Sequence, residues 1–368
     1  MDPTTLGKHS AFVVRQVAPF NAGPPLAHLV QSPVTPTELF FVRNHADTPA
    51  IAAADYRLTV AGAPASPVQF DLAELQTSFP AVTIAATLQC AGNRREELMA
   101  ARPILGELGW GLEAISHAHW TGVRLRDVLV RAGIDPGWAS DGHVEFAGLD
   151  TVERLGRTFN FAGSIPLTKA LSSEVLLAYA MNGQPLTPVH GFPLRVVVPG
   201  YIGARSVKWL SRLTVQPEPS DNYFQARAYR LFPSHVTAAT VDWETGLRLG
   251  EMPVTSAICM PLDGERLPAE GFTVRGYALA GGDRQIARVD LSADHGVTWL
   301  TATQLGEPGP WGWRLWEAWL KLAPGPHELM AGAVDTAGHT QPGDLAQIWN
   351  FKGYLNNARH RISIVVTE

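Results

Sequence analysis

Two textures of hydrophobic patterning divide the chain near residue 235. Beyond it, short runs alternating apolar and polar residues recur at 254–260, 272–280, 285–291, 298–305, 327–334 and 361–366, separated by Gly, Pro and Asp. Alternation at period two turns one face of each run inward, so this spacing predicts an antiparallel β-sandwich. Asp294, His295 and Gly296 predict a hairpin turn within it. Before residue 235 the patterning is mixed. Asp71 caps a short helical run, residues 123–133 are amphipathic and stop at Gly133, and residues 195–198 and 207–215 predict strands. Strands and helices do not alternate regularly, which predicts an α+β unit rather than a repeating βαβ fold. No GxGxxG follows a strand, so a dinucleotide-binding domain is unsupported. Residues 1–37 are punctuated by Pro and Gly and predict an extended arm. The expected organisation is an arm at 1–37, an α+β domain at 38–235 and a sandwich at 236–368.

Composition narrows the function. A chain of 368 residues with 46% hydrophobic and 17% charged residues can bury two sizeable cores. A net charge of −5 argues against nucleic-acid binding through a basic surface. The two cysteines, Cys90 and Cys259, cannot build a disulfide framework, a zinc site, a CxxCH haem attachment or an iron–sulfur cluster. The first 30 residues hold only a four-residue apolar run, and no stretch approaches the ~20 apolar residues of a membrane span. The expectation is a cytoplasmic protein with no membrane partner.

Cys90 carries the chemistry. The apolar run 81–88 reads as a buried strand, and Gly92 and Asn93 as the bend that leaves the thiol in a loop beside Arg94 and Arg95. Neighbouring guanidinium charge favours the thiolate, the form that ligates metals. Alone, such a cysteine reads more readily as a small buried hydrophobe. Cys259 reads as an inert strand residue, and the tryptophans at 311–319 read as core and interface packing.

The string C-A-G-N-R-R at 90–95 resembles the molybdenum-ligand segment of the sulfite oxidase family of molybdopterin enzymes. The resemblance continues through F-F-V-R-N-H at 40–45, W-T-G-V-R-L-R-D-V-L at 120–129, E-V-L-L-A-Y-A-M-N-G-Q-P-L at 174–186 and H-G-F-P-L-R at 190–195. It resumes in G-A-R-S-V-K-W at 203–209, V-D-L-S-A-D-H-G-V-T-W at 289–299, W-R-L-W at 313–316 and I-W-N-F-K-G at 348–353. These segments follow family order across nearly the whole chain after residue 35. The chain lacks the haem domain of animal members and so resembles the haem-free, plant-like type.

The resemblance implies a cofactor of molybdenum with one pyranopterin dithiolene and Cys90 as the protein's metal ligand. It places Phe41, Val42, Arg43, Asn44, His45, Asp150, His190, Arg195, Ser206, Val207 and Lys208 around that cofactor. Physically, Arg and Lys suit a phosphate tail and Asp can accept from ring N–H groups. It implies an anion pocket of Arg43, Arg95, Trp110 and Tyr229. Lys352 stands where the family has an arginine, keeping the charge but losing the guanidinium fork. The implied reaction is oxidation of sulfite to sulfate, with electrons passed to oxygen or an external acceptor. The alternatives are nitrate or sulfoxide reduction on the same cofactor, or a noncatalytic interaction protein. The sandwich is implied to be immunoglobulin-like and to make a homodimer.

Overall fold

The structure, a computed structural model, describes residues 2–62, 66–135, 142–306 and 309–368. Two main sheets build the first unit, one antiparallel and one mixed. In one, strand Val82–Gln89 pairs antiparallel with Ile115–Arg124, which pairs with Leu176–Met181; Arg195–Val197 and Gln184–Pro185 also join Leu176–Met181. In the other, Leu210–Gln216 lies parallel to Arg57–Gly62 and antiparallel to His143–Arg154, which hairpins with Arg157–Pro166. Leu58, Val60, Val123, Phe146, Leu177, Val196 and Leu213 meet in one buried cluster contributed by both sheets.

Local signals set several elements as expected. The Asp71 carboxylate accepts from the Glu74 N–H at 2.8 Å and starts helix Leu72–Thr77, satisfying one orphan donor. The amphipathic run 123–133 is shorter as a helix than its pattern suggests. Val123 and Arg124 pair with Leu177 and Leu176 as the end of a strand, and the helix spans Leu125–Arg131. The strand expected at 207–215 begins at Leu210, because Trp209 takes a left-handed φ of 51°.

The arm is not extended. It forms a short 3₁₀ turn at Pro3–Leu6 and a hairpin of Val13–Gln16 with Asn21–Gly23, and Ala22 bridges to Val42. Phe12, Phe20 and Ala22 pack with Leu39, Val42 and Val189. These apolar residues have no regular period, so their burial shows only once the chain folds back on itself.

The second unit is two sheets sharing the core of Ile258, Val274, Val289, Trp316, Leu329 and Ile364. One sheet orders Thr255–Met260, Phe272–Leu279, Arg314–Leu320 and Thr303–Leu305; the other orders Arg266–Pro268, His360–Thr367, Gly325–Asp335, Ile286–Ser292 and Leu300–Thr301. Three departures from the patterning stand out. The run 298–305 splits at buried Ala302 into two short strands of different sheets. The tryptophan-rich segment contains the strand Arg314–Leu320. Arg266–Pro268 pairs parallel to His360–Thr367, so the sandwich is not wholly antiparallel. The turn at Asp294 forms, with His295 at φ 58° and Gly296 at φ 86°. Among the described residues no helix is long and apolar enough to cross a membrane.

The units dock through a continuous core. Leu29 and Ile115 from the first pack with Cys259, Tyr277, Leu279 and Trp313 from the second. Cys259 is fully buried there, and burial pushes its thiol up, so it stays protonated and apolar.

Candidate active site

Strand Val82–Gln89 becomes fully buried over its last four residues and delivers Cys90 to a tight loop. The Cys90 N–H donates to Ala114 O at 2.9 Å, and the Asn93 N–H closes the loop onto Cys90 O at 3.0 Å. The Gly92 N–H donates to Cys90 Sγ at 3.4 Å. A Cβ on Gly92 would lie 2.4 Å from Arg95 Nη2, so only glycine lets that guanidinium lie against the loop.

The adjacent arginines play different parts. Arg94, at φ 66° and fully buried, pairs with Glu97 and donates to Ser256 O at 3.0 Å and Ala358 O at 2.8 Å. Asn93 donates to the Tyr277 hydroxyl at 2.8 Å. These bonds clamp the thiol loop to the second unit. Arg95 donates from Nε to Lys352 O and Gly353 O, each at 3.1 Å, and from Nη1 to Leu108 O at 2.7 Å. It lies over the Tyr354 ring, 5.0 Å from the centroid. Arg95 was expected as a free anion fork. Instead its Nε–H and an Nη1–H are held by backbone carbonyls, its Nη2 lies 3.7 Å from Glu107 Oε2, and it lines neither cavity described below.

Cys90 opens into an inner cavity. Around it stand Phe41, Arg43, Asn44 and His45 from one segment, Asp150 from strand His143–Arg154, His190 and Arg195, and Ser206, Val207 and Lys208. Val42 is absent from this wall, because its backbone pairs with Ala22 and its side chain packs inward. Trp110 is absent too. It is fully buried in the apolar cluster that holds Cys90, and its indole N–H has no partner. The carbonyls of His190 and Ser206 accept from Arg195 at 3.1 and 2.9 Å, which fixes its guanidinium. Lys208 donates to Asn44 Oδ1 and to Val189 O.

The charges around this cavity are unbalanced. Arg43, Arg195 and Lys208 face it, and among the described residues Asp150 is the one carboxylate on its wall. Burial lowers Arg195 to about 9. Burial, then Arg195's charge, holds Lys208 well below the usual amine range. Burial, with Lys8, Lys208 and Arg195 close by, keeps His190 neutral. Burial raises Asp150 to about 6, against the pull of Lys208. Buried cations without counter-charge are unfavourable until an anion joins them.

Lys8 extends this cluster from the arm. It donates to Phe40 O at 2.9 Å and contacts His190 Nε2. No sequence signal marked it: a single lysine in a Pro/Gly-rich arm reads as solvated. Burial lowers it from 10.5 to about 7. Between those values the unfolded chain binds a proton that the folded chain lacks, so Lys8 makes stability rise with pH across that window. Urea unfolding of the cofactor-free protein at about pH 7.5 and about pH 9.5 checks this. Lys8→Met should rise less between the two than the unsubstituted protein; equal slopes would exclude the effect.

An outer cavity leads inward. Arg43, His45 and Tyr229 line both cavities; Arg154, Glu107, Lys352 and Tyr354 line only the outer one. Tyr229 follows a π-helical turn at Phe224–Ala228, which places its hydroxyl 2.8 Å from His45 Nε2 and stacks its ring on Tyr354 at 5.2 Å. Burial pushes the Tyr229 hydroxyl up, so it stays a donor. Lys352 does reach this approach, but its ammonium is paired with Glu107 rather than free.

A metal–pterin group fits these residues. Asn44 Nδ2, on the wall, and Gln89 Oε1, beside Cys90 in sequence, are buried without partners. The surplus of cations suits a phosphate, and Asp150 suits ring N–H donors. Among the described residues no group of three or more His, Cys, Asp or Glu could hold a metal ion between them. A metal at Cys90 therefore has to arrive with ligands of its own, which a dithiolene supplies.

Two family models and several known proteins match this chain. The family model described as oxidoreductase molybdopterin binding domain matches residues 45–224, and that described as Mo-co oxidoreductase dimerisation domain matches residues 248–367. Sulfite oxidase of Gallus gallus is 44% identical over 361 residues, covering 96% of this chain and 78% of that one. Sulfite oxidase of Arabidopsis thaliana is 40% identical over 374 residues, covering 96% and 94%. The crystal structure of the sulfane dehydrogenase SoxCD from Paracoccus pantotrophus superposes with a TM-score of 0.77 at 25% identity, covering 94% of this chain and 84% of that one.

Proposed function

The chain belongs to the sulfite oxidase family of molybdopterin oxidoreductases, and from that premise we propose that it oxidises sulfite to sulfate at a molybdenum–pterin group in the inner cavity. One observation carries the reading. The Cys90 thiol faces a cavity with unbalanced cations, and that cavity communicates through Arg43 and Tyr229 with an outer approach. When bound, the group would supply two-electron oxidation and oxygen-atom transfer.

The chain's own residues would do the rest. Cys90 would ligate the metal. Arg195, Lys208 and His190 would hold the phosphate and pterin, with Asp150 accepting from ring N–H groups. Arg43 would take the oxygens of a pyramidal oxyanion at the junction of the cavities. Tyr229 would donate to the same oxyanion while its ring excludes water. His45, stacked on Phe161 at 4.6 Å and held neutral by burial and by Arg43 and Lys208, would fix the Tyr229 hydroxyl without adding charge.

Steady-state turnover of sulfite with ferricyanide, oxygen and cytochrome c tests the reaction and identifies the class of acceptor. Nitrate with a reduced dye tests the reductive alternative. A molybdenum-loaded protein that turns over nitrate but not sulfite would overturn the reading. Tyr229→Phe keeps the ring and removes one donor. A hydrogen bond to a charged group is worth roughly 1.5–3 kcal/mol, so kcat/KM should fall about tenfold or more with unchanged thermal stability. Wild-type kinetics would leave Tyr229 a packing residue.

Residues 236–368 would form the dimer contact, in keeping with the dimerisation-domain match, and their two packed sheets would be immunoglobulin-like. The mass in solution tests the dimer: a monomer at micromolar concentration would exclude it.

A further inference from the structure

Glu107 places a carboxylate in the approach that the substrate anion has to use. Its segment runs between helix Arg95–Ala101 and Trp110 without regular structure. Glu107 Oε1 accepts from Lys352 Nζ, and Oε2 lies 3.7 Å from Arg95 Nη2. The pair is shielded: the Glu107 and Lys352 side chains are 18% and 13% exposed. Both line the outer cavity with Arg43, Tyr229 and Tyr354. The Glu107 charge reaches the reactive end of that cavity, since it acts on the hydroxyls of both Tyr229 and Tyr354.

The segment has room to move. Leu105 is 89% exposed, and Gly106, at φ 74°, has no atom within 4 Å of where a Cβ would stand. The other side is anchored, because Leu108 O accepts from Arg95. Glu107 therefore sits at the junction of an unpacked and a fixed stretch. An incoming oxyanion and the Glu107 carboxylate compete for the same ammonium, and like charges at short range repel.

We infer that Glu107 is a specificity-determining residue, an internal anion that caps Lys352 and has to be displaced by the substrate. The inference rests on the sulfite-oxidising reading and adds a charge criterion to it. A dianion interacts with Arg43 and Lys352 strongly enough to exchange with the carboxylate; a monoanion does so poorly. When the product leaves, Glu107 returns to Lys352 and helps release sulfate. No covalent step is involved.

The test uses molybdenum-loaded enzyme with Glu107→Gln, Lys352→Ala and the double variant. The readouts are KM for sulfite, the inhibition constant for sulfate and that for nitrate, a monoanion of similar size. Glu107→Gln should lower KM and the sulfate constant about two- to fivefold, the upper range of a partly exposed ion pair. It should not raise kcat, because product now leaves more slowly. Nitrate inhibition should strengthen by a larger factor than sulfate inhibition. The gain should shrink in the Lys352→Ala background, which marks the two residues as coupled. Glu107→Asp, which shortens the reach but keeps the charge, should fall between Glu107→Gln and the unsubstituted enzyme.

Unchanged or raised constants in Glu107→Gln, or an equal gain with and without Lys352, would overturn the inference while sulfite oxidation stands. A loaded wild-type enzyme with no sulfite turnover would remove the proposed function, and this inference with it.

Discussion

Cys90→Ser yields a folded protein that no longer retains molybdenum and turns over sulfite at less than about a tenth of the wild-type rate, since losing a ligand costs more than losing one outer contact. The fold should survive because the change is one buried atom. The loop is held by the Cys90 N–H on Ala114 O and by the Asn93 N–H on Cys90 O, and serine keeps both backbone bonds. The sulfur accepts one N–H, from Gly92, and a hydroxyl oxygen can take its place. What serine lacks is soft thiolate donation to a redox-active metal. Metal analysis beside circular dichroism separates the two effects. A variant with full metal content and more than about a tenth of the activity would remove Cys90 from the metal.

Arg94→Met should do the opposite, damaging the fold before the chemistry. Its guanidinium ties Glu97 to the carbonyls of Ser256 and Ala358, and thereby the thiol loop to the second unit. Removing one partner of a buried ion pair costs about 3–5 kcal/mol, and the lower end applies because the Glu97 side chain is 31% exposed. The midpoint of thermal unfolding should drop by about 4 °C. Glu97→Gln should be milder, since an amide oxygen still accepts from Arg94. Burial pushes the Glu97 carboxyl up, but the charge and hydrogen bonds of Arg94 hold it below its usual value. Its share of stability is therefore present above the ordinary carboxylate range and is lost as pH falls through the lowered value. In Arg94→Met that acid-side loss should disappear. An unfolding midpoint equal to wild type would mean that the clamp contributes nothing.

The two arginines after Asn93 show how one motif can hide two roles. As neighbours in sequence they differ only in position. In the fold, the left-handed φ of Arg94 turns its side chain toward the second unit, while Arg95 opens helix Arg95–Ala101 and lies across Gly92. A reading that treats both as loose positive charge near the thiol misses that Arg94 is held by a carboxylate and two carbonyls and Arg95 by three carbonyls.

Local patterning was enough for five longer strands of the second unit, though not for Arg314–Leu320 or Arg266–Pro268, and for the Asp71 cap and the strand that delivers Cys90. Periodicity and capping depend on neighbours a few residues apart, and those are written directly in the chain. The resemblance carried by residues 40–45, 90–95, 190–195 and 203–209 named most of the side chains that meet around the inner cavity, because short motifs hold their residues in fixed register. Tertiary structure alone decided where the remaining charges went. Lys8 reaches His190 across 182 residues, Arg94 reaches Ala358 across 264, and Lys352 reaches Glu107 across 245. It also withdrew Trp110 and Val42 from the cavity wall and folded the arm onto the core. Each outcome depends on which buried groups find a partner once distant segments pack. That balance of desolvation and pairing is set by the whole fold and leaves no periodic trace in the sequence.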